Sequence, residues 1–128
     1  MEQDFETFDA FWTHYLNEHS HPETRAVHIA GTLASLVCVA GGIAASVDTG
    51  EDPVHRPDPL PWFVAAAVAG YGPAWLSHFM LEGNRPATFK HPLWSLLSDF
   101  RMTYLWITGG LDAEVEQAAR RIGKAASA

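Results

Sequence analysis

The sequence predicts an all-α fold: a membrane-embedded helical bundle with two transmembrane helices, at about 29–47 and 60–81. Three observations carry that prediction. Residues 29–47 contain no charged side chain. Residues 60–81 contain none either, and only one histidine, His78. A bilayer core of ~30 Å needs about 20 such residues in a helix, so both runs fit a span. The third observation is a helical stripe near the N-terminus: Phe5, Phe8, Trp12, Tyr15 and His19 recur at gaps of three and four. Uncharged runs also occur as core helices of soluble bundles, but two of this length are uncommon in a chain of 128 residues.

The chain is short enough for one domain, 1–128, and long enough for a real core. Its formal net charge of −7 leaves no basic stripe for counterion release, so a nucleic-acid partner is not expected. The single cysteine, Cys38, lies in an apolar run and has no internal disulfide partner. The acidic start Met1-Glu2-Gln3-Asp4 lacks the basic region of a secretory signal.

The first helix is expected over about 3–19. Its aromatic stripe suits an interfacial helix, with His19 in register with the apolar face and His14 off it. Ser20 and Glu23 have capping-box spacing and Pro22 is tolerated only in a first turn, so a second helix is expected from about Pro22 to Val47. Arg25 and His28 fall in its first two turns. Its small residues, Gly31, Ala34, Gly41 and Gly42 among them, permit close helix packing and leave room for a homodimer. Residues 48–59 form a polar connection with four acids, three prolines and one arginine. His55 lies there, expected at the surface. In the second span Gly70, Gly72 and Pro73 predict a kink before His78, and Gly83 fits a C-terminal cap. A loop follows to Lys90. An interfacial helix is then expected over about 93–108, closed by Gly109-Gly110, and a last short, solvated one over about 112–126, including Lys124.

Polar residues gather where the second apolar run stops: His78, Glu82, Asn84, Arg85, His91 and Asp99. Such residues are costly to bury and ask for a reason. The residues point to a metal site in which His78 and His91 meet His19 and His28. Neutral imidazoles suit Fe, Zn, Cu or Ni. Glu82, Asn84 and Asp99 are the candidates to orient the rings, and Arg85 to pair with a substrate carboxylate. Lysines and arginines agree with this grouping. The 48–59 connection carries only Arg56, whereas Arg25, Arg85, Lys90 and Arg101 flank the opposite ends, so both termini are expected in the cytoplasm. All four histidines then share one membrane face and His55 is stranded on the other.

At these residues the chain resembles the DUF962 or Mpo1-like family of small membrane proteins. The resemblance rests on Tyr15-Leu16 with His19, on Arg25 with His28-Ile29-Ala30-Gly31-Thr32, on Trp75 and His78-Phe79 with Glu82-Gly83-Asn84-Arg85-Pro86-Ala87, and on His91-Pro92-Leu93-Trp94 running to Asp99-Phe100-Arg101-Met102. It covers roughly residues 8–106. Leu81 and Gly83 stand where an aromatic and a lysine are more usual, and His21 where a small polar residue is. The resemblance implies an Fe(2+)-dependent dioxygenase of fatty-acid α-oxidation. Such an enzyme converts a 2-hydroxy fatty acid and O2 to the acid one carbon shorter and CO2. His19, His28, His78 and His91 would hold the iron at the face of an integral membrane domain in a cell inner membrane or endoplasmic-reticulum-type membrane. The alternatives are a non-enzymatic membrane scaffold or lipid-binding protein with structural histidines, a two-iron hydroxylase, and a heme protein.

Overall fold

The computed structural model describes residues 5–85 and 90–127, and within them every regular element is helical. α1 spans Phe8–Glu18 and starts later than the aromatic stripe suggests, because Thr7 is extended and its hydroxyl accepts from the Ala10 amide at 3.2 Å. Residues 3 and 4 of the expected helix lie outside the described residues. α2 runs Pro22–Ser46 with proline at its first position. Its N-cap is His21, without a side-chain capping bond. The Ser20–Glu23 capping box does not form, since the Ser20 hydroxyl donates to Glu82 at 2.9 Å, 62 residues away.

The 48–59 connection holds one short turn, Pro53–His55, and His55 is exposed. α3 spans Leu60–Ser77 and contains Pro73. A wide π turn, His78–Glu82, extends it and ends at Gly83, whose φ of +67° is a left-handed C-cap that glycine adopts without strain. The expected loop begins there, and its residues 86–89 lie outside the described ones. α4 spans Pro92–Thr108, closed by Gly109 at φ +85°, and α5 spans Leu111–Ser127.

α2 and α3 form a tight antiparallel hairpin. Pro73 has no N–H to offer the carbonyl of Ala69, one turn earlier. That freed oxygen faces Gly31 of α2, where an added Cβ would sit only 2.7 Å from it. Glycine there is what lets the two backbones meet. The rest of the chain makes a separate layer. Phe11, Trp12, Tyr15 and Leu16 of α1 pack with Ile29, Met102, Leu111 and Ala118 into the core. Trp12 Nε1 donates to Glu114 at 3.2 Å, and Arg101 lies over the Trp12 ring at 4.6 Å, so α1, α4 and α5 are tied at one point. The last helix matches the expected bounds to within one residue at each end, but it docks through Leu111 and Ala118 rather than forming only a solvated tail; the Lys124 side chain lies outside what is described.

The far end of the hairpin has no such cover. Val37, Ile43, Val47, Leu60, Val64 and Val68 are each more than half exposed. Among the described residues one helix, Pro22–Ser46, is long and apolar enough to cross a membrane. α3, expected as the second span over 60–81, does not meet that measure. Its α-helix stops at Ser77, and Pro61, Trp62, Gly70, Tyr71, Gly72, Pro73 and Trp75 dilute its hydropathy.

Candidate metal centre

Three histidines converge where the two layers join. His19 is the C-cap of α1, His28 lies in the second turn of α2, and His78 opens the π turn after α3. Their relative exposures are 1%, 5% and 1%, so water does not solvate the rings. His19 Nε2 lies 3.2 Å from His28 Nε2 and 3.0 Å from His78 Nε2. One ligand atom from each lies within 4.8 Å of the others.

The opposite nitrogen of each ring faces an oxygen. His19 Nδ1 donates to the Tyr15 carbonyl at 2.6 Å. His78 Nδ1 donates to Asn84 Oδ1 at 2.6 Å, and the amide nitrogen of Asn84 donates to the Glu18 carbonyl at 3.3 Å, which fixes its orientation. His28 Nδ1 faces Asp99 Oδ1 at 3.4 Å, and the Tyr15 hydroxyl donates to that same oxygen. Rings that carry their proton on Nδ1 present a bare lone pair at Nε2. Three lone pairs turned on one another in a buried space repel, and a cation between them removes the conflict. The spacing suits one: two nitrogens at about 2.1 Å from an ion and about 90° apart lie about 3.0 Å from each other. Burial, and then the neighbouring imidazoles, push the His19 pKa well below its ordinary value, which keeps the ring neutral and able to ligate.

The fourth expected ligand, His91, is not in this group. It caps α4, and Pro92 directs the chain so that its ring stacks on Trp94 at 5.6 Å and meets the edges of Phe5 and Phe11 at 5.5 and 5.3 Å. Its Nε2 is buried and has no hydrogen-bond partner among the described residues. Of the other candidates, Asn84 and Asp99 face the rings, as described. Glu82 does not. It accepts from the His21 amide at 2.8 Å, from Ser20, and from the His21 ring at 2.9 Å, pinning the α1–α2 turn to the π turn. Burial raises its pKa, but these donors outweigh it and hold the carboxyl below its ordinary value. Arg85 is exposed on the loop beyond.

Two participants lay outside the expected set. Tyr15 stacks on the His19 ring at 4.1 Å, accepts from it through its carbonyl, and binds Asp99. Its spacing four residues before His19 was the available signal. Arg25 donates to the carbonyls of His19 and Ser20 at 2.7 and 2.9 Å, closing the end of α1.

A family model described as 2-hydroxy-palmitic acid dioxygenase Mpo1-like matches residues 5–111. No curated protein and no solved structure matches the chain.

Proposed function

The chain belongs to the 2-hydroxy-palmitic acid dioxygenase Mpo1-like family, and from that premise we propose that it is an Fe(II)-dependent dioxygenase of fatty-acid α-oxidation working at a membrane face. The observation that carries the reading is the convergence of three buried Nε2 atoms whose Nδ1 atoms all face oxygens. His19, His28 and His78 would hold the ion. Three protein ligands leave coordination positions open, as a catalytic site requires.

The overall change is R–CH(OH)–COOH + O2 → R–COOH + CO2 + H2O. The bond between the first two carbons breaks, and O2 takes the four electrons that those carbons lose. Iron, when bound, supplies the one-electron chemistry through which O2 reacts with a closed-shell acid. The protein's own groups set the stage. The Tyr15 carbonyl, Asn84 and Asp99 fix the ring orientations, which governs how well the imidazoles donate. Burial of all three rings excludes bulk water. Arg85 lies on the loop that follows the π turn, where a guanidinium can meet a carboxylate headgroup.

The apolar surface of α2 and α3 supports a bilayer location. Contiguous exposed apolar faces of this kind mark membrane or partner contact. In this reading both helices of the hairpin enter the lipid, the 48–59 connection lies on the far side, and the histidines lie at the cytoplasmic face with both termini. A 2-hydroxy acid would keep its tail in the bilayer and present its headgroup to the histidines.

The test is metal analysis and O2 uptake with 2-hydroxypalmitate, on protein purified in mild detergent and loaded with Fe(II) under anaerobic conditions. About one iron per chain and substrate-dependent O2 consumption are expected, both lost in His78→Ala. Folded protein that takes up no iron, or His78→Ala with full turnover, would overturn the reading and leave a scaffold or lipid-binding role.

A further inference from the structure

A cavity of about 180 Å³ lies among α2, α3 and α4, beneath the three histidines. Its place follows from helical repeats. Thr32 and Ser35 line it four and seven residues after His28, on the same face of α2 and about 6 and 10 Å deeper along the axis. On α3, Ala67 and Gly70 line it from positions 11 and eight before His78. Asp99, whose carboxylate faces His28 at 3.4 Å, lines the end nearest the cluster. The walls are drier than their residue types suggest. The Ser35 hydroxyl donates to the Ala66 carbonyl at 2.8 Å, and Asp99 is engaged by Tyr15 and faces His28. The other end opens sideways past Tyr71, Leu96 and Phe100, each 40–41% exposed, onto the apolar flank of the hairpin.

We propose that this cavity holds the alkyl segment next to the headgroup of the 2-hydroxy fatty acid, and that the rest of the tail leaves it sideways into the bilayer. The inference rests on the functional reading above and specifies its substrate. A methylene fills about 30 Å³, close to a water molecule's share of the liquid, so the cavity takes about six of them. Everything further along the tail exchanges one lipid environment for another and contributes no discrimination. Selectivity therefore depends on bulk near the headgroup and not on total length. Once the tail is long enough to fill the cavity, longer acids are treated alike, and a branch on the carbons inside it is rejected.

The test reads occupancy directly, in metal-free protein reconstituted in phosphatidylcholine nanodiscs. One 2-hydroxypalmitate probe carries a photoreactive diazirine at its sixth carbon and a second carries it near the tail's end. The first is expected to label residues lining the cavity, in competition with plain 2-hydroxypalmitate, and the second to label lipid and lipid-facing residues. Ala67→Phe, which fills the space, is expected to cut labelling by the first probe about tenfold, the loss of roughly two buried methylenes; Ala67→Leu keeps the test alive if the larger side chain unfolds the hairpin. Diffuse labelling by both probes, unchanged by either variant, would overturn the proposal. Iron content and O2 uptake are measured separately on the unmodified protein: their failure removes the functional reading, whereas labelling of the metal-free protein reports on the cavity alone.

Discussion

Gly31→Ala adds one methyl group directly against the backbone of the facing helix. The new Cβ would lie 2.7 Å from the Ala69 carbonyl oxygen, and ordinary contact begins at 3.4 Å. The obstacle is backbone, so no side chain can swing aside. α2 and α3 must separate by about 0.7 Å or distort locally, and overpacking of this kind typically costs about 1–3 kcal/mol. The effect reaches the site because each helix leads to a proposed ligand: His28 lies three residues before Gly31, and His78 nine residues after Ala69. A metal–nitrogen distance tolerates only about ±0.2 Å, so a displacement several times larger weakens binding even where the hairpin survives. Thermal unfolding in detergent should show a Tm lower by several degrees, and competition with a calibrated chelator should show iron held at least about tenfold more weakly. Unchanged Tm and unchanged iron affinity together would refute the claim that this backbone contact sets the spacing of the histidines.

Asn84→Ala removes the acceptor for His78 Nδ1 and should weaken iron binding by about 10–100-fold while leaving the helical circular dichroism intact; equal affinity would show that His78 orients itself. Acid should destabilise the metal-free protein through His19. Its folded pKa lies below the unfolded value of about 6.5, so the unfolded chain binds the proton first, and stability present above that pH falls as the pH drops through the folded value. Denaturant midpoints across this range check the sign, and a midpoint that rises on acidification would contradict it. Trp12→Phe deletes the bond to Glu114 and, being the smaller ring, leaves a gap in the core; a loss of about 1–3 kcal/mol is expected by chemical denaturation, with little change in iron affinity.

The parts of the site that follow helical periodicity could be read in the sequence. His19 falls in register with Phe8, Trp12 and Tyr15, and the structure places all of them on the inward face of α1. His28 and His78, at the same end of two apolar runs, come together because those runs pair as a hairpin. His91 shows the limit. Its position beside a helix-starting proline was plain, but the ring's direction depends on Phe5, Phe11 and Trp94, a box built from two segments far apart in the chain. Glu82 shows it again. A local capping motif around Ser20 competes with a carboxylate 62 residues away, and nothing in the local spacing indicates that the distant partner prevails. The π turn after Ser77 likewise has no periodic signature, though it sets the direction of His78.

The separation of His19 and His78, 59 residues apart, bears on how the protein is made. On the proposed membrane-embedded reading, a chain still emerging from the ribosome can insert α2 and fold it back against α3, yet it lacks the third imidazole until the end of α3 has been synthesised. Iron is therefore expected to enter last. It would seal an assembly that lipid has already shaped, and cells starved of the metal should accumulate an inserted but loosely closed protein.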